Sequence, residues 1–428
     1  MKGREVCEAS ARQQSAALAV VEQEMRRSHA RGVGSERAKA TKMTNRAFSN
    51  ELQLLLACCR WPPEPEAVRA AADTGVDWII FLDLLRRHGV VALASHAIWK
   101  ANVETSAAHV SVFRKSVELQ VQHSLNMARE TARLAQSFAE AGITCRFFKG
   151  PTLARLAYSD FGLKRSADID VLIAPAALER ACDRLRGAGF IPAMIRNLDP
   201  ASFDRYLRLA KEVAFVDSQG IVVELHLRIS DNKEMLQTMN ADSEPQHVSI
   251  GSVSVPTFND RLLYPYLCYH GAVHGWSRLK WLVDLNAFLE GRDVAMLHES
   301  AVAQGVESAS LVALSLCQSL LGRDLAVTPQ LSLLQRVQRR ISLAAIQHPL
   351  GGSEVTSVPM ATALRICGAT IGGNFSSAKA SLIGAWSQPQ LRARYADGHG
   401  WRFHLFRIPI FLWALPRRLR AVSVDRST

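Results

Sequence analysis

The 428-residue chain is most informative at first in what it lacks. Its eight cysteines (Cys7, Cys58, Cys59, Cys145, Cys182, Cys268, Cys317 and Cys367) form no C-x-x-C pair and mostly sit in apolar surroundings. That excludes a disulfide scaffold or a cysteine-rich zinc module and predicts reduced packing residues in a cytosolic protein. No apolar run reaches the roughly 18 residues that a membrane span needs. The polar start has no compact apolar stretch ahead of a small-residue cleavage site, so it is not expected to be a secretory signal. Glycine-rich phosphate loops, an H-E-x-x-H helix and internal repeats are also missing.

Basic residues are in excess, 51 Lys+Arg against 39 Asp+Glu for a net +12, but the excess is unevenly placed. Counting along the chain, residues 1–46 and 392–428 together hold about +11 of it, leaving the body nearly neutral. A groove that tracks a long phosphate backbone needs a basic stripe on the folded body, and the linear count supplies none, which argues against a nucleic-acid partner. Residues 1–46, rich in Ala, Ser, Arg and Glu as far as Met43, read as a disordered tail or a translation start placed too early.

The pattern beyond the tail predicts an α+β protein. Residues 47–141 read as helices: Leu52 to Leu56, a break at Trp61-Pro62-Pro63, then Trp78, Phe81, Leu82 and Leu85 at helical spacing, and a long amphipathic run from Leu119 to Phe138. Residues 142–256 change period. Cys145–Phe148 and Ile169–Ile173 read as strands with helices after each. Lys211–Val216 and Ile221–Leu227 flank Asp217-Ser218-Gln219-Gly220 as a hairpin, and a smaller hairpin turns at Gly251. Helical pattern returns over 257–390. Residues 391–428 form a basic aromatic segment in which Trp401 to Arg420 interleaves Phe, Ile and Trp with arginines. Pro409 and Pro416 forbid one long helix there, leaving a terminal packing element or a weak peripheral contact of 401–420 with anionic lipid of the inner membrane.

The densest cluster of candidate residues is Lys149-Gly150-Pro151 followed by Arg165-Ser166-Ala167-Asp168-Ile169-Asp170-Val171. Alternate side chains of a strand share a face, so Asp168 and Asp170 project together while Ile169 turns to the core. Two carboxylates on one face repel unless a cation neutralises them, and Mg2+ (or Mn2+), a hard ion held by one or two carboxylates and the phosphates of its substrate, suits them. In Val222-Val223-Glu224-Leu225-His226 the same alternation puts Glu224 and His226 on one face. If that strand lies beside Ile169–Ile173, three carboxylates meet.

These motifs, with His270-Gly271-x-x-His274-x-Trp276-x-x-Leu279-Lys280-Trp281-Leu282-x-Asp284, make residues 48–290 resemble the bacterial nucleotidyltransferase-family proteins of the DNA polymerase beta superfamily. The resemblance implies a nucleotidyltransferase-like mixed sheet core flanked by N- and C-terminal helical sections, with Asp168, Asp170 and Glu224 as catalytic, metal-binding carboxylates. Members look like accessories to polysaccharide or modified-peptide biosynthesis. One departure stands out: where the superfamily has Gly-Ser after its first strand, this chain has Lys149-Gly150-Pro151.

The chemistry that such residues serve is transfer of a nucleoside monophosphate from a nucleoside triphosphate, such as ATP, to a hydroxyl or phosphate of a small molecule, sugar or peptide. Two metal ions about 4 Å apart would clamp the in-line displacement, with Glu224 on the acceptor side as ligand or base. Lys149 and Arg165 suit the triphosphate by charge, and the backbone at Gly150 gives close approach to phosphate. Each assignment has a rival: Lys149 and Arg165 as surface cations or partners of Asp168, Glu224 on a solvated face, His226 as a core histidine. His270 and His274 have helical i, i+4 spacing suited to zinc, to a cleft wall or to packing. Lys280 and Asp284 form either a surface pair or part of the cleft. Two other readings of the whole chain remain: a catalytically weak nucleotide-binding scaffold, and a D-x-D glycosyltransferase.

Overall fold

The computed structural model describes residues 48–372 apart from 105–106, 194–210, 231, 233, 326–328, 349–359, 361–362, 365–366 and 369. The N-terminal tail, Cys7 and the 391–428 segment lie outside the described residues.

Four helices open the described part of the chain, α1 (Asn50–Cys58), α2 (Pro65–Ala72), α3 (Trp78–His88) and α4 (Val91–Lys100), followed by the long α5 (Ala107–Glu140). Local chemistry sets their ends. The carboxylate of Asp77 accepts the N–H groups of Ile79 and Ile80 at the start of α3, and Gly89 ends it at φ 71°. Within α3, Phe81, Leu82 and Leu85 are buried on one stripe, as their spacing predicts.

The α+β expectation holds. After α5 come β1 (Cys145–Phe147), α6 (Gly150–Tyr158), β2 (Asp168–Ile173), α7 (Leu178–Gly187, entered through a 3-10 turn at Pro175–Ala177), β3 (Ile191–Pro192), β4 (Glu212–Val216) and β5 (Val222–His226). They form one mixed sheet in the order β1-β2-β5-β4-β3, in which β2 and β5 are parallel and the other neighbours antiparallel. Asp217 ties the β4–β5 turn, its carboxylate accepting the N–H groups of Gln219 and Ile221. The smaller hairpin is β6 (Pro245–Ile250) and β7 (Val253–Phe258), a separate two-stranded sheet.

Strand alternation divides the sheet into two unlike faces. Ile169, Val171, Ile173, Val213, Phe215, Val223 and Leu225 turn one way and bury against Met127, Leu134 and Phe138 of α5 and Cys182 and Leu185 of α7. The opposite face carries the polar residues of β2 and β5, and helices wall it.

Those walls come from both ends of the described chain. Helices α8 (Asp260–Val273), α9 (Leu279–Phe288), α10 (Val294–Ala303), α11 (Glu307–Leu321) and α12 (Leu333–Gln347) follow the hairpin. The sections read from sequence as 47–141 and 257–390 share one core: Leu54, Leu55, Phe81 and Leu85 pack with Tyr264, Leu282, Phe288 and Leu316. Two buried side chains of α3 stitch the halves. His88 Nδ1 accepts the backbone N–H of Leu279 at 3.1 Å, serving the first turn of α9, and Arg87 donates to the carbonyls of Ala345 and Ile346 near the end of α12. The seven described cysteines are free and buried, in keeping with packing roles. Among the described residues no helix is long and apolar enough to cross a membrane.

His88 gives a stability prediction. Burial, then the charges of Arg87 and Arg278, pull its imidazole down to about 3. The unfolded chain therefore takes up a proton near pH 6.5 that the folded chain refuses, so stability is full above that pH and falls as pH drops toward 3. His88 contributes a slope of about 1.4 kcal/mol per pH unit in that window. Urea unfolding between pH 7 and 4.5, compared between wild type and His88→Asn, which keeps an acceptor near Nδ1, should show the slope reduced by that amount in the variant.

Candidate active site

The polar face of the sheet is assembled by register. Asp170 stands opposite Glu224 and Leu172 opposite His226 across the parallel β2–β5 pair, while Glu212 of β4 stands opposite His226. The strand bearing Glu224 therefore does lie beside the strand bearing Asp168 and Asp170, the condition on which the meeting of three carboxylates depended. Asp168, two residues before Asp170, lies on the same face at the strand's half-exposed start.

Asp170 is the centre of the site. Its side chain is fully buried, and its Oδ1 receives Lys149 Nζ at 2.6 Å and His226 Nε2 at 3.0 Å. The same His226 nitrogen is 3.5 Å from Glu224 Oε2, and His226 Nδ1 lies 3.3 Å from Glu212 Oε2 without hydrogen-bond geometry. The Phe148 ring packs edge-on against His226 at 5.1 Å and against Tyr266 at 5.0 Å, closing the floor. Asp170 Oδ2 is buried and has no hydrogen-bond partner among the described residues. An anionic oxygen in that state is costly unless a ligand completes it.

The electrostatics follow from this packing. Burial alone would raise Asp170, but Lys149 and the hydrogen bond from His226 hold its carboxyl well below the usual carboxylate range. Burial likewise opposes the charged form of Lys149, and the carboxylate of Asp170, with Tyr266 and Asp168 behind it, more than offsets that. His226 is raised overall: burial lowers it, and its hydrogen bonds to Asp170 and Glu224 prevail. Asp168 is pushed up to about 6 by burial and then by the negative charge of Asp170.

A divalent cation fits this donor set. Asp170, Glu224 and His226 each offer a ligand atom, and these atoms lie within 4.8 Å of one another. Two of the three expected ligands are thus gathered, with His226 added; Asp168 is adjacent but outside that group. His226, whose role the sequence left open between site and core, contacts Asp170, Glu224 and Glu212.

The remaining candidates divide. Gly150 sits at φ 56° with its missing Cβ position 3.3 Å from the carbonyl oxygen of Asp168, so β2 and the start of α6 approach through it. Gly150→Ala is expected to cost about 1–2 kcal/mol from the left-handed conformation and to displace Asp168. Thermal unfolding and Mn2+ titration of the variant check both effects. Arg165 is exposed, in a loop that α5 pins: Gln120, His123 and Ser124 bond the carbonyls of Gly162, Ser166 and Lys164.

Asp284 does not ion-pair with Lys280. Its carboxylate takes Lys164 Nζ at 3.2 Å and the Tyr158 hydroxyl at 2.9 Å. Lys280 instead lies over the Trp281 ring, and burial, then repulsion from Lys164 and Arg278, lowers it to about 8. His270 and His274 line the same wall: Tyr266 and His270 of α8 and His274 at its C-cap follow one another, and His274 stacks flat on Trp281 at 4.5 Å. Burial and then the charge of Lys149 keep both imidazoles neutral. Among the described residues neither histidine joins a group of three metal-ligating side chains, so the zinc reading gains no third ligand.

Sequence reading missed Lys164, Glu212 and Tyr266. Glu212 was within reach, since the Asp217 turn fixes which residue faces His226; Lys164 and Tyr266 carry no local signal that separates them from ordinary surface and core positions.

A family model described as an uncharacterised nucleotidyltransferase matches residues 74–322, more than half of the chain, from the lead-in to α3 through the sheet to the end of α11. No curated protein matches the chain.

Proposed function

We propose, from the premise that this chain belongs to the uncharacterised nucleotidyltransferase family, that it moves a nucleoside monophosphate from a nucleoside triphosphate to a hydroxyl or phosphate of a small molecule, sugar or peptide. The observation that carries this reading is the buried, unpartnered Asp170 Oδ2 beside Glu224 and His226. Asp170 and Glu224, with Asp168 at the rim, would hold Mg2+ or Mn2+, which when bound supplies neutralisation of the triphosphate and a more acidic acceptor hydroxyl.

The chain's own groups supply the rest. The acceptor oxygen forms a bond to the α-phosphorus, the bond from that phosphorus to the oxygen bridging the β-phosphate breaks, and pyrophosphate leaves with that electron pair. Glu224, whose side chain is 25% exposed, is placed to take the acceptor's proton. Lys280 and Arg165 are cations with no carboxylate partner among the described residues, and they suit the triphosphate better than Lys149, which is engaged with Asp170, or Lys164, which is engaged with Asp284.

Pyrophosphate release tests the proposal: each of the four nucleoside triphosphates, Mg2+ or Mn2+, cell-extract acceptors, and wild type against Asp168→Asn. Release that needs the metal and disappears in the variant is the expected result. Absence of any metal-dependent nucleotide binding would sink the reading. The Lys149–Asp170 pair favours one rival, a nucleotide-binding scaffold with little turnover; binding without release, in the presence of a range of acceptors, would support it. The D-x-D glycosyltransferase reading gains no support, because among the described residues no series of parallel β-α units precedes β2.

A further inference from the structure

A carboxylate can serve two metal ions at once by offering one oxygen to each. In this chain half of that capacity is already taken. Asp170 Oδ1 holds Lys149 Nζ at 2.6 Å and His226 Nε2 at 3.0 Å, and only Oδ2 is buried without a partner.

Lys149 is not a surface cation that swings aside at little cost. Its side chain is 17% exposed, and Nζ lies 5.9 Å from the centre of the Phe148 ring and 6.0 Å from that of Tyr266. Its backbone is fixed between β1 and the first turn of α6. Withdrawing it would leave a fully buried carboxylate without its counter-charge. Seating a divalent ion on Oδ1 beside the ammonium would set like charges in contact.

We propose that Lys149 is a resident cation standing in for a second divalent ion, so that the site takes one divalent cation, on Asp170 Oδ2 and Glu224. This rests on the metal-dependent reading above and narrows it, replacing the pair of ions expected from sequence. It also gives the Lys149-Gly150-Pro151 departure a purpose: Lys149 supplies fixed positive charge to the carboxylates.

The test counts Mn2+ on the purified full chain with a non-hydrolysable nucleoside triphosphate analogue, by equilibrium dialysis and by electron paramagnetic resonance, which detects coupling between neighbouring ions. Wild type should bind one Mn2+ per chain with no coupled signal. Lys149→Met should gain a second, coupled ion, and Lys149→Arg should retain one. Two coupled ions in wild type would overturn the proposal and leave metal dependence standing; no bound Mn2+ in any of the three proteins would overturn both. A folded Lys149→Met that still binds one ion would also overturn it. Should that variant fail to fold, the wild-type and Lys149→Arg counts decide.

Discussion

Asp170→Ala is expected to destabilise the protein by about 3–5 kcal/mol, the cost of leaving a buried charge without its partner. The size follows from the surroundings. Lys149 is nearly buried and His226 more so, and both direct their donors at one oxygen of a carboxylate with no exposed surface. Removing that carboxylate strands both. The measurement is urea unfolding, set against a double-mutant cycle with Lys149→Met. Removing both charges together should restore at least about 1 kcal/mol of the sum of the single losses. A loss below 1 kcal/mol in Asp170→Ala would mean that the ammonium relaxes to solvent and that the pair is not the centre of the site. The same result bears on enzymology: an inactive Asp170→Ala protein is ambiguous between lost chemistry and lost fold, which is why Asp168, half-exposed at the strand's start, is the better control.

Glu224→Gln should separate chemistry from stability in the opposite way. Its carboxylate faces the site from the neighbouring strand, opposite Asp170, yet a quarter of the side chain is exposed and its nearest cationic contact is 3.5 Å away. Stability should change by no more than about 0.5 kcal/mol, as for an exposed substitution. Pyrophosphate release should fall about 10²–10⁴-fold, the range for loss of a positioned proton acceptor, and Mn2+ should bind more weakly. Turnover within twofold of wild type would return Glu224 to the solvated-face reading. A loss of stability as large as that of Asp170→Ala would make it a structural partner of His226.

Much of this site is local and therefore readable. The two-residue period of a strand puts Asp168 with Asp170 and Glu224 with His226 on common faces, whatever the strands later meet. The Asp217-Ser218-Gln219-Gly220 turn announces the β4–β5 hairpin, and the burial of Ile169, Val171, Val223 and Leu225 against α5 and α7 follows from their apolar alternation. Lys149 is different. Its sequence neighbours say that it follows a strand and precedes a helix, and nothing in them says whether its ammonium faces water, phosphate or Asp170. The Lys280 and Asp284 pair shows the same limit. Helical spacing places them within reach of each other, but Lys164 and Tyr158, from other elements, claim the carboxylate.

The sequence by itself therefore determined the α+β order of elements, the shared faces of the acidic residues and the break between helical and strand periods, because each depends on neighbours a few residues apart. Tertiary structure alone decided that β5 lies parallel beside β2 and that Asp170 is sealed from water with Lys149 on one oxygen. It also decided that helices from both ends share one core through contacts such as His88 to α9. Those outcomes depend on which distant groups compete for one buried charge or one open helix end. Burial settles that competition, because a charge or backbone group out of reach of water takes whichever partner the packing brings to it.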